Sequence, residues 1–419
     1  MRIRFYNARI LTMETDSVLQ GELWTSGTTI GYIGDSKPSD KPFDREIDCK
    51  GNLIMPGLKN AHTHSAMTFA RSLADQYSLN DWLYKAIFPR EKKLTDDHVY
   101  WFSKLAFAEY LAGGTTACFD MYFHLEAQAK AAVETGIRHV FVDSANDFGG
   151  IDTLEHYYNE LNSYDPLVSY ILGFHAEYTT CEDNLKRVRD IAHKYEAPIF
   201  THLSETKAEV EGCKERYGCT PVVLLDNLGM FDYGGGGFHC VWFTDEDREI
   251  FKKKDLWSVF NACSNLKLAS GIAPVYKFIN NDMKIAIGTD GAGSNNGLSM
   301  FREMYLDTVL SNVETGNANT INPFTILKAG TTGGALFMGL NDSDVLKEGK
   351  NADIIMIDMN RPSMQPENNV VNNVVYSADD SCVKLTMING RILYEDGKFT
   401  TIDIDETRRK CNELLPELA

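Results

Sequence analysis

The strongest constraint on the fold is an alternation of short apolar runs with longer amphipathic segments, which extends from about residue 56 to residue 350. Such alternation is typical of βα units around a parallel sheet covered by helices. The candidate strands are residues 53–64, 115–121, 139–143, 169–175, 198–203, 237–240, 258–262 and 285–289. Eight repeats predict a closed (β/α)8 barrel, because an open doubly wound sheet would be expected to carry a glycine-rich turn after its first strand.

Both ends of the chain have a different sequence pattern, which consists of short β-rich runs such as residues 2–6 and 352–357. Near the second end, Asn389-Gly390 is a strong hairpin signal. Neither piece can bury a sheet face alone, so we expect both to pack into one discontinuous β-sandwich. The predicted domains are a β-sandwich from residues 1–55 and 350–405, a barrel from residues 56–349 and a C-terminal helix over residues 406–419.

The charge balance limits the class of partner. The chain has 41 Lys+Arg against 59 Asp+Glu, a net charge of −18, and such a surface repels phosphate backbones and anionic lipid. No run reaches the length of a signal peptide or a membrane helix. Nine cysteines, an odd number scattered along the chain, are typical of a reducing compartment. We therefore expect a cytoplasmic protein that acts on a small molecule, without nucleic acid or membrane partners.

Several of the predicted strands have a histidine or an aspartate at their carboxyl end. In a barrel of this kind the active site lies at the carboxyl ends of the strands. One histidine alone is more often a hydrogen-bonded core residue, but five of the ten histidines and one aspartate fall at strand ends. They are His62, His64, His175, His202, His239 and Asp290.

Four of these residues predict a metal site. His62 and His64 are two apart on a strand and share a face. Their imidazoles, that of His202 and the Asp290 carboxylate would make a set suited to Zn²⁺ or Fe²⁺, with one position left for water. No thiolate contributes and the ligands come from remote parts of the chain, which disfavours a structural site. A metal would lower the pKa of bound water toward about 7, and Glu205 could then shuttle protons.

Five segments carry a family resemblance: PGLKNAHTH, THLSE, HC after a glycine run, NACSNLKLASGIAPV and GTDGAGSNN. From Arg2 to Thr401 the chain resembles the amidohydrolase superfamily, specifically the deaminases that act on S-adenosylhomocysteine and 5′-methylthioadenosine. The resemblance implies a metal-dependent α/β fold, a (β/α)8 barrel with a two-part β-sandwich, that releases ammonia from C6 of an adenine. It also implies one divalent metal, with Zn²⁺ favoured over Fe²⁺, Mn²⁺ or Ni²⁺. The implied ligands are His62, His64, His202 and Asp290.

The resemblance also implies catalytic roles for three residues. Glu205 would take a proton from the attacking water and give it to ring N1. Asp290 would accept the second proton and pass it to the leaving ammonia, while His239 would hydrogen-bond the attacking hydroxide. Two alternatives stay open, in which Glu205 is a solvated helix residue and His239 is a fifth metal ligand.

Substrate contacts follow from the same resemblance. Glu91 would accept hydrogen bonds from the ribose 2′- and 3′-hydroxyls, His175 would contact a purine ring nitrogen, and Trp82 would close the pocket over the nucleoside. Each has a structural alternative: a surface glutamate, a core histidine and a core tryptophan, respectively.

One departure from the family bears on the substrate. Family members that prefer S-adenosylhomocysteine place arginines after strand three to bind its carboxylate, whereas residues 139–151 contain none and are acidic. We therefore expect 5′-methylthioadenosine, 5′-deoxyadenosine or adenosine to be preferred. Alternatives are a related hydrolase acting on a triazine, guanine or pterin, and a noncatalytic binding barrel. The oligomeric state stays open, and a homo-oligomer would be unsurprising by analogy.

Overall fold

A computed structural model describes residues 1–419, and its centre is an eight-stranded parallel sheet. The strands follow one another around the sheet in chain order, so each βα unit adds the next strand beside the last. We number these barrel strands one to eight. Their bounds are Leu58–Thr63, Thr115–Tyr122, Arg138–Asp143, Val168–Gly173, Ile199–Leu203, Gly235–His239, Trp257–Phe260 and Lys284–Ile287.

The sheet closes into a barrel where strand eight lies beside strand one. The backbone N–H of Asp290 donates to the carbonyl oxygen of His62 at 2.9 Å, and that of Thr289 donates to the Asn60 side-chain oxygen at 2.9 Å. A Cβ at Gly288 would lie 2.4 Å from the His62 backbone nitrogen, so this approach requires glycine. The predicted (β/α)8 barrel is confirmed.

The first candidate strand, predicted as one piece over residues 53–64, is instead two strands that belong to different sheets. Leu53–Pro56 pairs antiparallel with Ile354–Ile357, and Leu58–Thr63 enters the barrel. The change occurs at Gly57, whose Cβ position lies 2.1 Å from the Thr116 side chain. A residue without a side chain is therefore needed where the chain crosses from one sheet to the other.

Strands from both ends of the chain form one nine-stranded sheet, which we call the terminal sheet. Fifteen buried residues, contributed mainly by alternate positions of its strands, form a separate hydrophobic cluster, so the sheet has a core of its own. The termini therefore fold together, as predicted. The strands are Ile3–Leu11, Val18–Ser26, Thr29–Gly34, Arg45–Asp48, Leu53–Pro56, Ile354–Ile357, Val383–Ile388, Arg391–Glu395 and Lys398–Phe399.

Helices cover the outside of the barrel. The longest begins at a capping box made by Thr95 and His98, and the last long helix packs on it, where the Cys411 thiol donates to the Trp101 carbonyl at 3.4 Å. No helix is long and apolar enough to cross a membrane. The α-helices of seven or more residues are Asp96–Ala112, Leu125–Thr135, Leu154–Leu161, Glu182–Tyr195, Lys207–Tyr217, Pro221–Asn227, Asp245–Lys253, Met300–Thr315, Val370–Tyr376 and Ile404–Leu414.

Shorter helices fill the loops, including a run above the barrel mouth between residues 79 and 91. Two of the short helices have π geometry, Trp82–Ile87 and Ala329–Gly333. The α-helical pieces are Leu79–Asp81, Phe88–Glu91, Ala262–Lys267, Val275–Ile279, Pro323–Lys328 and Gly334–Phe337, and the 3-10 turns are Ser65–Ala70, Glu177–Thr179, Pro362–Met364, Asp380–Cys382 and Leu415–Leu418.

A buried ion pair joins the barrel to the terminal sheet. Arg138 opens barrel strand three, and its Nε lies 2.5 Å from Asp353 Oδ2, with the two side chains 6% and 1% exposed. The other Asp353 oxygen accepts the Asn389 backbone N–H at 2.8 Å. Because both charges are removed from water, their mutual attraction and these hydrogen bonds must offset the desolvation.

Candidate metal centre and active site

The four predicted metal ligands converge at the carboxyl end of the barrel. The distance from His64 Nε2 to Asp290 Oδ1 is 3.1 Å, and that from His62 Nε2 to the same oxygen is 3.5 Å. His202 Nε2 lies 3.4 Å from His64 Nε2. Strands one, five and eight thus bring residues that are far apart in sequence to one point.

Backbone carbonyls fix the ring orientation of two of the histidines, His64 and His202. His64 Nδ1 bonds the Met121 carbonyl at 2.5 Å, and His202 Nδ1 bonds the His175 carbonyl at 2.8 Å. In both rings the N–H at Nδ1 donates, so Nε2 is the nitrogen that faces the cluster. A bond of this kind, from the far ring nitrogen to a carbonyl, typically orients a metal-ligating histidine.

His62 provides the clearest test of whether the residues fit a metal. Its side chain is fully buried and neither ring nitrogen has a hydrogen-bond partner, an arrangement that proteins rarely tolerate without a ligand. The ring stacks on Phe238, with centroids 3.9 Å apart. Burial lowers the pKa of His62 to about 3, which keeps the imidazole in the neutral form that binds metals.

Asp290 completes a donor set of three imidazoles and one carboxylate, which fits a divalent metal ion. Its Oδ2 accepts hydrogen bonds from Ser264 Oγ at 2.6 Å and Ser294 Oγ at 2.7 Å. Burial opposes ionisation of Asp290, but the neighbouring imidazoles of His62 and His64 hold its pKa well below the usual range. The carboxylate is therefore charged, and its Oδ1 is directed at the histidines.

Glu205 and His239 lie beside this cluster. Glu205 is 4% exposed, its Oε1 accepts from Ser270 Oγ at 2.9 Å, and its Oε2 is 3.9 Å from His239 Nε2. The far nitrogen of His239 bonds Asn265 Oδ1 at 2.7 Å. Burial raises the pKa of Glu205, as expected for a group that both accepts and releases protons. Since Glu205 is buried, it is not a solvated helix residue.

His239 also lies close enough to His62 and His202 to share an ion with them. The alternative of a fifth ligand is therefore compatible with the structure, and the choice between the two roles stays a prediction.

A single cavity of about 560 Å³ opens onto these groups, a size in the usual range for small-molecule sites. Its lining includes all three residues expected to contact substrate, Glu91, His175 and Trp82, together with Glu205 and Asp290. The residues that the sequence indicated therefore lie around one space, although their roles there stay predictions.

Glu91 ends the short helix Phe88–Glu91 on one side of the cavity and accepts a hydrogen bond from Tyr122 OH at 3.1 Å. Burial raises the pKa of Glu91 to about 7, although the Tyr122 hydroxyl partly opposes this. His175 bonds Thr179 Oγ1 at 2.9 Å, and burial lowers its pKa to about 4. His175 is thus neutral and can donate or accept a hydrogen bond.

The cavity lining is poor in positive charge. Four carboxyl groups face the cavity, and Lys92 is the single lysine or arginine among the residues that line it. The end of strand three and the turn after it contribute Asp143, Asn146 and Phe148, without an arginine. Burial raises the pKa of Asp143 to about 7, opposed by the hydrogen bond from Tyr170.

Several supporting residues were missed from the sequence. Ser264, Asn265, Ser270 and Ser294 orient Asp290, His239 and Glu205 through the hydrogen bonds given above. All four lie in the two glycine- and asparagine-containing segments that carried the family resemblance. The signal was therefore present, but small polar residues in loops do not reveal which group they contact.

A buried imidazole and carboxylate cluster at the carboxyl end of a (β/α)8 barrel defines a metal-dependent hydrolase. The model of the amidohydrolase family matches residues 53–393, so the chain belongs to that family, as the sequence predicted. The 5-methylthioadenosine/S-adenosylhomocysteine deaminase of Caldanaerobacter subterraneus subsp. tengcongensis is 38% identical, over 99% of both chains. The 5'-deoxyadenosine deaminase of Methanosarcina acetivorans is 36% identical, over 98% of this chain and 97% of its own length.

Solved structures agree with this assignment. An adenosine deaminase from Xanthomonas campestris with bound zinc superposes with a TM-score of 0.94 at 28% identity, over 100% of this chain and 98% of its own. A triazine hydrolase from an Arthrobacter species has a TM-score of 0.91 at 21% identity, over 99% of both chains. The second likeness establishes the fold alone.

Proposed function

We propose that this protein hydrolytically deaminates adenosine-type nucleosides, in which water replaces the 6-amino group and ammonia leaves. The observation that carries the proposal is the buried Glu205 carboxylate beside His239, facing the same cavity as Glu91. The proposed substrates are neutral at the 5′ position: 5′-methylthioadenosine, 5′-deoxyadenosine and adenosine, ahead of S-adenosylhomocysteine. The two deaminases that are 38% and 36% identical to this chain support the nucleoside class.

The proposed metal ligands are His62, His64, His202 and Asp290, and the proposed ion is Zn²⁺. Three imidazoles with one carboxylate suit zinc, and the Xanthomonas relative is described with zinc bound. When bound, a divalent cation lowers the pKa of a coordinated water and so supplies hydroxide near neutral pH.

Glu205 and Asp290 together transfer the two protons of the attacking water. Glu205 takes one proton from the attacking water and delivers it to ring N1 as the oxygen adds to C6. Asp290 accepts the second proton and passes it to the amino group, so that the C6–N bond breaks and ammonia leaves. The product carries a carbonyl at C6 and a hydrogen on N1.

His239 is proposed to stabilise the reacting oxygen. Its Nδ1–H donates to Asn265 Oδ1, which leaves Nε2 to hydrogen-bond the oxygen that adds to C6. The Glu205 carboxylate lies 3.9 Å from the same Nε2, so both side chains face the reacting oxygen.

The first test is Glu205→Gln, which keeps the shape of the side chain and removes its basicity. We expect metal content to be preserved and ammonia release from 5′-methylthioadenosine to fall by about 100-fold or more. The matched control is Glu211→Gln on the helix that follows Glu205, because Glu211 is exposed and pairs only with Lys207 at 3.4 Å. Full turnover by the Glu205 variant, with metal bound, would contradict the proposal.

The second test is a panel of nucleosides scored by kcat/KM. The carboxylates around the cavity would repel the amino-acid carboxylate of S-adenosylhomocysteine. We therefore expect 5′-methylthioadenosine to have a kcat/KM about tenfold or more higher than that of S-adenosylhomocysteine. The reverse order would reject the 5′ preference without affecting the assignment as a deaminase.

A further inference from the structure

The turn that carries Glu205 is held by another buried carboxylate, that of Glu209. Glu209 lies in the first turn of the helix Lys207–Tyr217 and is 7% exposed. Its Oε1 accepts the backbone N–H of Ser204 at 2.6 Å, and its Oε2 accepts that of Glu205 at 2.8 Å. The Glu209 side chain thus holds the backbone of Ser204 and Glu205 in the turn between strand five and the helix.

This contact goes beyond ordinary helix capping. In a capping box the acidic residue reaches back only to the N–H of the N-cap residue, which here is Thr206, and the bond from Thr206 to Glu209 is the longest of the three, at 3.5 Å. The helix Asp245–Lys253 provides the comparison within the same molecule. Its acidic residue Asp247 accepts the N–H of the N-cap residue Thr244 at 2.8 Å, with no backbone donor further upstream.

The clamped turn is conformationally unfavourable by itself. Ser204 has a φ of 51°, in the left-handed region that residues with a side chain rarely adopt. Such a conformation persists when surrounding contacts determine it. Ser204 is the first residue whose backbone N–H donates to Glu209. The side-chain carboxylate of Glu205 accepts a hydrogen bond from Ser270. Glu209 and Ser270 therefore fix Glu205 from its backbone and from its carboxylate.

We propose that Glu209 is a positioning residue that aims the Glu205 carboxylate at His239 and the cavity. The inference rests on the proposed function, since it assigns Glu209 a role through Glu205. Each oxygen of the Glu209 carboxyl group accepts one backbone N–H, whereas a glutamine presents one acceptor and one NH₂ group that would oppose the second N–H. Loss of one bond would let the strained turn relax and would displace Glu205.

The test compares Glu209→Ala and Glu209→Gln with Asp247→Ala and Asp247→Asn. For the Glu209 variants we expect kcat for 5′-methylthioadenosine to fall about tenfold or more, because small misplacement of a reacting group is costly. KM should stay within about twofold and metal content should be unchanged. Glu209→Gln, which keeps one acceptor, should retain more activity than Glu209→Ala. The Asp247 variants should lower Tm to a similar extent and keep kcat.

Three outcomes would overturn the inference: wild-type kcat in both Glu209 variants, a loss confined to KM, or an equal fall of kcat in Asp247→Ala below its Tm. If Glu209→Ala does not fold, Glu209→Gln carries the test alone. The Glu205→Gln experiment separates the two proposals. If that variant turns over normally, the proposed function fails; if it is inactive while the Glu209 variants are normal, only the positioning role fails.

Discussion

Single residues at the barrel mouth lie on backbone that most side chains avoid. Ser204, His239 and Asp290 have φ values of 51°, 70° and 58°, and each follows or ends a barrel strand. A left-handed residue at a strand exit turns the chain sharply, so that neighbouring side chains are directed into the mouth and away from the helices. Such a conformation persists where surrounding contacts determine it, and these three residues lie beside the proposed chemistry.

Glu91 gives a pH prediction at this scale. Its pKa is raised to about 7, so on lowering the pH from 8 to 6 the carboxylate becomes mostly protonated. A protonated carboxyl loses one acceptor for the ribose diol, and we expect KM for adenosine to rise about five- to tenfold across this range. The measurement is KM against pH.

Glu91→Gln is the matched variant, and its KM should be high and independent of pH over the same range. In parallel, Glu91→Ala should weaken turnover of ribosides specifically. If that variant left riboside kcat/KM unchanged, a free heterocyclic base such as guanine, a pterin or a triazine would become the better substrate class.

Gly288 gives a prediction about packing. A methyl group there would lie 2.4 Å from the His62 backbone nitrogen and 2.7 Å from its carbonyl oxygen, and backbone cannot move aside easily. We expect Gly288→Ala to destabilise the fold by about 2 kcal/mol or more and to weaken metal binding, measured by urea unfolding and metal content. Gly212→Ala is the control, because only the flexible end of the Arg216 side chain lies nearby. It should be neutral or slightly stabilising.

At the scale of strands and helices, the sequence predicted where the strands lie better than which strands pair with each other. All eight barrel strands were found because buried parallel strands are continuous apolar runs, and His202 and His239 lie at strand ends as expected. The split at Gly57 was missed, since an apolar run does not reveal that its halves pair with different partners. Glu209 was missed because its spacing from Thr206 matches an ordinary helix cap.

The Arg138–Asp353 pair gives the prediction at this scale. Removing one member leaves the other as a buried unpaired charge, so Arg138→Met should cost about 3–5 kcal/mol of unfolding free energy. Denaturant unfolding with chelator-free buffer measures the effect. The control is Lys186→Met, since the Lys186–Glu182 pair is 42% and 46% exposed and such surface pairs contribute about 0–1 kcal/mol. Equal costs for the two variants would show that the interface does not depend on the buried pair.

At the scale of the whole molecule, we expect the proposed metal centre and the fold to depend on each other. The cluster brings together strands one, five and eight, and His62 has no partner other than the cluster itself. A ligand that binds only the folded state stabilises it by about 2.7 kcal/mol when its free concentration is 100 times Kd. We therefore expect chelation to lower Tm by several degrees and added Zn²⁺ to restore it, as calorimetry would show. An unchanged Tm in protein shown by elemental analysis to have lost its metal would contradict this coupling.

The meeting of strands one and eight has a consequence for biosynthesis. His62 is translated early and Asp290 only after some 228 further residues (290 − 62), so a nascent chain on the ribosome holds an incomplete set of the proposed ligands during most of its synthesis. The last segment of the terminal sheet emerges later still. Ion loading is therefore expected to be a late event, and ribosome-stalled chains ending before Asp290 should retain little zinc in a pull-down.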